Sequence, residues 1–78
     1  MTITDAARQV LKQVGRPQTP AEIHAAIVEQ SLFSFGAQSP VNVVRRQLRR
    51  HCEGVEAPDS SDKKYFRIKE GDRYELID

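Results

Sequence analysis

The sequence predicts an α+β domain: three helices followed by a two-stranded β-hairpin. Three observations predict it. Thr19-Pro20 and Ser39-Pro40 are helix-start signals, placed between apolar stretches. Ahead of Cys52 the apolar residues recur at helical spacing. After Asp62 the period drops to two. At 78 residues, with 38% hydrophobic and 29% charged side chains, the chain has the composition of one small globular domain spanning 1–78.

The first helix is expected to start at Thr4, whose side chain can accept from a free N–H, with Asp5 at the positive end of the helix dipole. Ala7, Val10, Leu11 and Val14 share one face, and Gly15 ends the helix. Arg16–Gln18 is then an extended connector, because Pro17 keeps Arg16 out of the helical region.

The second helix has the clearest start. Thr19-Pro20-Ala21-Glu22 fits a capping box with proline in the first turn. Ile23, Ala26 and Ile27 form its stripe, and helical character fades near Gln30. Ser31–Gln38 (SLFSFGAQ) is expected as a loop pinned to the core by Leu32, Phe33 and Phe35. The third helix begins at the Ser39 cap and Pro40 and runs to about Cys52. Val41, Val44 and Leu48 make a narrow stripe that Cys52 extends, with Asn42, Arg45, Arg46 and Arg49 on the opposite side.

Gly54–Asp62 is a polar link of turn-forming residues. Beyond it Phe66 and Ile68 alternate with Tyr65, Arg67 and Lys69; after Glu70-Gly71-Asp72, Tyr74 and Leu76 alternate with Arg73 and Glu75. A three-residue glycine loop makes this a hairpin, pairing Lys69 with Arg73, Ile68 with Tyr74 and Phe66 with Leu76. Phe66, Ile68, Tyr74 and Leu76 are expected to close the core. Helix, helix, helix, hairpin is the order of a winged helix-turn-helix, the hairpin being the wing.

The formal net charge is only +1, but the basic charge is concentrated. Ser39–Cys52 holds Arg45, Arg46, Arg49 and Arg50 and no acid. In this fold the third helix is the recognition helix, which enters the major groove N-terminus first. Asn42, Arg45 and Arg46 lie in its first two turns. Asparagine matches the adenine edge and arginine the guanine edge, each through two hydrogen bonds. Arg49 and Arg50 are placed for phosphates, and the N–H groups at the helix start near Ser39 for another.

Arg45 and Arg49, and Arg46 and Arg50, are like-charge pairs at i,i+4 that a polyanion would relieve. The contrary reading is a solvated helix face, neutralised by the acidic link Glu53–Asp62 folding back on it. On the wing, Lys63, Lys64, Tyr65, Arg67, Lys69 and Arg73 are candidates for backbone or minor-groove contact. By alternation Tyr65, Arg67, Lys69 and Arg73 face away from the core, although Glu70, Asp72 and Glu75 are close enough to pair with these bases across the hairpin.

Nothing in the sequence points to catalysis, a metal or a cofactor. His24 and His51 lack metal-ligand spacing, Cys52 is expected as a small buried hydrophobe, and no phosphate loop or nucleophile motif is present. The single cysteine rules out an internal disulfide. With no signal peptide, and no apolar run near the roughly 20 residues of a membrane span, the expected compartment is the cytoplasm, at the nucleoid in a bacterium.

The blocks TDAARQVL (Thr4–Leu11), PQTPAEIHAAI (Pro17–Ile27), SPVNVVRRQLRRH (Ser39–His51) and YFRIKEGDRYEL (Tyr65–Leu76) together resemble the HARE-HTH family. Its winged helix is named for chromatin remodelling proteins, Asx-like proteins and restriction endonucleases. The resemblance covers nearly the whole chain and rests mostly on fold-determining positions. It implies a double-stranded DNA-binding module that serves a fused or associated nuclease or other effector in restriction or DNA modification, with sensitivity to modified bases. The end just after the second wing strand fits an N-terminal domain cut from a longer protein. The competing reading is a winged helix that docks on a polymerase or effector subunit through exposed aromatics of SLFSFGAQ. A monomer or weak dimer is compatible with either.

Overall fold

Thr2, not Thr4, opens the first helix of the computed structural model, which describes residues 1–77. The Thr2 hydroxyl accepts from the Asp5 N–H at 3.0 Å, and the Asp5 carboxylate accepts from the Thr2 N–H at 3.4 Å. This capping box corrects the start expected at Thr4. A box needs an acid or amide three residues after the cap, and Thr2 has Asp5 where Thr4 has Ala7. The earlier start brings Ile3 onto the helix, packed against the core. This helix, α1 (Ile3–Val14), ends at Gly15 with φ 73°, a left-handed conformation that glycine adopts at little cost.

The second helix, α2 (Pro20–Glu29), starts at the expected Thr19 capping box. The Thr19 N–H donates to Glu22 Oε1 at 2.9 Å, and the Glu22 N–H donates to the Thr19 hydroxyl at 3.2 Å. The third, α3 (Pro40–Arg50), has its first-turn proline but no side-chain cap. The Ser39 carbonyl accepts from the Asn42 and Val43 N–H groups, and its hydroxyl makes no cap.

Helix α3 stops at Arg50, short of the expected end at Cys52. The cause is a strand absent from the sequence reading: β1 (Cys52–Glu53) pairs in parallel with β2 (Phe66–Lys69). Cys52 still reaches the core, but from a strand. The sheet has the order β1-β2-β3, with β3 (Arg73–Leu76) antiparallel to β2 in the expected register, Phe66 opposite Leu76 and Ile68 opposite Tyr74. At the hairpin turn Gly71 has φ 77° and Asp72 φ 55°. The Arg16–Gln18 connector joins this sheet: the Gln18 N–H donates to the Tyr74 carbonyl at 3.0 Å, and the Tyr74 N–H donates back at 2.8 Å.

One core unites the layers. Val10 and Leu11 of α1, Ile23 and Ile27 of α2, and Val44 and Leu48 of α3 meet Cys52, Phe66 and Tyr74 from the sheet. Phe66 and Tyr74 are fully buried, whereas Ile68 and Leu76 on the same strands are half-buried. Truncating Phe66 to alanine would cost roughly 3–5 kcal/mol in transfer and cavity terms.

The loop after α2 is pinned as expected. Leu32, Phe33 and Phe35 pack against the core, with Phe33 5.0 Å from Phe35 and His24 edge-on to Phe35 at 4.9 Å. These aromatics are half-buried in this cluster, less exposed than the competing reading expects.

Candidate nucleic-acid interface

The 3.6-residue period that buries Val44 and Leu48 turns the arginines of α3 away from the core. Asn42, Arg46 and Arg50 are exposed, Arg45 and Arg49 half-buried, and Ser39 is exposed at the helix entrance. All six predicted α3 residues therefore lie on or beside one outward face. Arg45 and Arg49 lean toward the wing, while Arg46 and Arg50 lean toward the acidic link.

The wing side is a continuous hydrogen-bonded chain. The Arg49 Nη1–H donates to the Tyr74 hydroxyl at 3.4 Å, and that hydroxyl donates to Asp72 Oδ1 at 2.8 Å. The other carboxylate oxygen of Asp72 accepts from Arg45 Nε–H at 3.0 Å, and Arg45 Nη1–H donates to Asn42 Oδ1 at 2.7 Å. Burial pushes the Tyr74 phenol above its ordinary pKa of 10.0, so the hydroxyl is neutral and able to donate at physiological pH. Its hydrogen bond to Arg49 raises the already high pKa of that guanidinium.

On the other flank Arg46 Nε–H donates to the Asp59 carboxylate at 3.4 Å, and Arg50 Nε–H donates to the Asp59 carbonyl at 3.1 Å. The expectation of uncompensated arginines is thus corrected: Asp72 and Asp59 reach them from distant parts of the chain. The acidic link does fold back, through Asp59. Arg46 remains 74% exposed, and surface pairs of this kind contribute about 0–1 kcal/mol, so a phosphate can displace the acid.

Asn42, Arg45, Arg46 and Arg49 line an open depression of ≈ 410 Å³ together with Ala57, Pro58 and Asp59.

The predicted wing residues divide into separate groups. Lys69 and Arg73 pair across the hairpin and line a groove of ≈ 490 Å³ with Arg16, Gln18 and Glu22. Hydrogen bonding to the Thr19 backbone and hydroxyl lowers the Glu22 pKa, with smaller help from Arg73 and Arg16. Arg67 is held by Glu75 at 3.3 Å and Glu53 at 3.7 Å, and Lys69 by Glu75 at 3.6 Å. Glu75 therefore pairs across the hairpin as expected, whereas Asp72 turns to α3.

Lys64 and Tyr65 lie beside α1 instead, around a cleft that also contains Asp5, Arg8 and Lys12. Tyr65 does not face away from the core, as alternation predicts. It is half-buried beneath Arg8, whose guanidinium sits 4.2 Å from the ring centroid, and lies against His51. Phe66 is where regular strand geometry begins, so alternation does not extend back to Tyr65. Lys63 is exposed, and its carbonyl lies 2.8 Å from His51 Nδ1.

The sequence does not predict Tyr74 and Arg16 in this surface, it expects Asp72 to pair with the wing bases instead of α3, and it offers Asp59 only as one of several acids of the link. Asp72 was within reach: the correct hairpin register puts it at the wing turn, and a winged helix packs its wing beside the third helix.

Among the described residues no group of three His, Cys, Asp or Glu is placed to hold a metal ion. Burial raises the Cys52 thiol pKa, the reverse of what a nucleophile needs. No helix is long and apolar enough to cross a membrane.

Three helices, a small mixed sheet and a hairpin turn seated beside the third helix define a winged helix-turn-helix domain. The HARE-HTH family model, described as an HTH domain of ASXL and restriction endonuclease proteins among others, matches residues 1–71. The chain belongs to that family, and the family points to a DNA-binding helix-turn-helix module. Comparison with curated proteins and with solved structures gives no match.

Proposed function

We propose that the domain binds duplex DNA with α3 in the major groove and the wing turn over the adjoining backbone. One observation carries this reading. The face of α3 opposite Val44 and Leu48 presents Asn42, Arg45, Arg46, Arg49 and Arg50 as one cationic surface, and the wing turn meets it through Asp72. Asn42 and Arg45 are nearest the base edges, and Arg46, Arg49 and Arg50 bind phosphates. The helix entrance at Ser39 takes a further phosphate on its N–H groups. Lys69, Arg73 and the neighbouring Arg16 extend the contact along the backbone. Lys64 and Tyr65 beside α1, Lys63 near His51, and Arg67 paired with Glu53 and Glu75 are left out of this footprint. The module's role is to deliver a nuclease or modification effector to DNA, with a base modification as one feature it reads; family membership supports this part.

The test is fluorescence anisotropy of a labelled random-sequence duplex titrated with the domain at about 50 and 200 mM salt. If about six phosphates are neutralised, affinity should fall roughly 10³-fold between the two conditions. Absence of binding at both, with the protein folded by circular dichroism, would overturn the proposal.

A further inference from the structure

We infer that Asp72 is a specificity-determining residue that pre-sets Arg45 to read guanine, with Asn42 as a second support of the same guanidinium. The inference rests on the duplex-binding reading above and names the base which that surface selects.

The hydrogen bonds of Arg45 carry the argument. A guanidinium has five N–H groups. Here Nε–H is spent on Asp72 Oδ2 and one Nη1–H on Asn42 Oδ1. The second Nη1–H and both Nη2–H groups remain. Bidentate recognition of guanine O6 and N7 takes one hydrogen from each terminal nitrogen, and each terminal nitrogen still has at least one to give. A carboxylate on Nε fixes the plane of the guanidinium without occupying the end that reads.

The same hydrogen bonds tie Asn42 to Arg45 and narrow what Asn42 can do on its own. Pairing with adenine requires the asparagine oxygen to accept from the adenine amino group while its NH₂ donates to N7. Asn42 Oδ1 already accepts from Arg45 at 2.7 Å. Its orientation is fixed by chemistry, since rotating the amide would set an NH₂ donor against the Arg45 donor. What remains of Asn42 is a pair of N–H donors and one lone pair of Oδ1, open to a neighbouring base or phosphate.

Asp72 is itself anchored. Its other oxygen accepts from the Tyr74 hydroxyl at 2.8 Å, and Tyr74 is fully buried between helices and sheet. The carboxylate is therefore held at both oxygens, and its position beside α3 is fixed through buried Tyr74. An acid beside a DNA-facing arginine opposes non-specific phosphate binding, so its presence there favours selectivity over raw affinity.

The experiment is selection of binding sites by the full chain from a random duplex library, run in parallel for wild type, Asp72→Gly, Asp72→Asn and Arg45→Lys. Glycine and asparagine both tolerate the positive φ at this position, and thermal melts monitor folding. Wild type should enrich a guanine at one position, preferred about 5- to 150-fold over other bases. Asp72→Gly should lower that preference about 2- to 12-fold, the cost of ordering a loose side chain, while its affinity for non-selected duplex rises. Arg45→Lys should lose the preference, because lysine has no fork. Binding by wild type without a fixed guanine, or an unchanged guanine preference in Asp72→Gly, would overturn this inference and leave duplex binding standing. Failure of wild type to bind any duplex would overturn both.

Discussion

Arg45 and Asp72 are 27 positions apart in the chain and 3.0 Å apart in the fold. The pair joins the middle of α3 to the turn of the wing, the two parts of the proposed DNA surface. Both side chains are about two-fifths exposed, at 38% and 40%, so the pair is neither buried at high desolvation cost nor fully screened. Asp72 shares its second oxygen with Tyr74, and helix and wing are thereby held as one unit from the core outward.

Arg46 and Arg50 are the first targets for a test of the surface. Both are exposed and lie away from the Asp72 network. Replacing both with alanine should leave the thermal midpoint nearly unchanged and weaken binding to all sequences alike. The slope of log affinity against log salt should fall by about 2, one for each phosphate that the variant no longer neutralises. An unchanged slope would remove these two arginines from the interface.

Asp59 competes with DNA for those arginines. Its carboxylate faces Arg46 and its carbonyl accepts from Arg50. Asp59→Asn keeps the backbone hydrogen bond and removes the charge. Duplex affinity at low salt should rise, by up to about 5-fold given what exposed pairs contribute. The gain should shrink at high salt. Equal affinity in the two proteins would mean that Arg46 reaches DNA without leaving Asp59, or does not reach it.

The helix starts allow a stability test that also separates two readings of the N-terminus. Thr19→Ala removes the acceptor for the Glu22 N–H, and Thr2→Ala the acceptor for the Asp5 N–H. Each should destabilise the domain by about 0.5–2 kcal/mol. For a domain of this size, roughly 4–8 °C in Tm accompanies each kcal/mol. Thr4 lies inside α1, so Thr4→Ala should cost less than Thr2→Ala. The reverse order would restore Thr4 as the cap.

What the sequence made legible was local. Gly15, Thr19-Pro20 and Pro40 act within a few residues, and the period-two stretches carry their own pairing, so helix order and hairpin register could be read directly. The long-range partners could not. Strand β1 has only two residues, too few for any period, and exists because Cys52 finds Phe66 across a polar link. Asp59 looks like an ordinary turn residue until the chain folds, and Asp72, though the hairpin register places it at the wing turn, shows its partner on α3 only in the fold. The arginine face was thus visible as a pattern, while its state of pairing depended on tertiary geometry.

The high-pH limit of the fold should be set in part by Tyr74 and Cys52. Burial is the main cause that raises both above their ordinary values of 10.0 and 9.0. For Tyr74, Asp72 adds to the shift and Arg49 opposes it. For Cys52, Glu53 adds, while Arg49, Lys64 and the backbone of Ile68 oppose it. In the folded state each proton is held more tightly than in the unfolded chain. Each group's contribution is therefore complete below its unfolded pKa and is lost as pH rises through the folded one. Tm should hold level from neutrality to about pH 9, where Cys52 begins to weigh, and fall further above about pH 10, as Tyr74 joins it. Tyr74→Phe should lower stability at neutral pH by about 1–3 kcal/mol, because Asp72 and Arg49 lose the hydroxyl between them. It should also flatten the part of the decline that begins near pH 10. Cys52→Ala should flatten the part that begins near pH 9. If both variants kept the wild-type decline, other titrating groups would be responsible for alkaline unfolding.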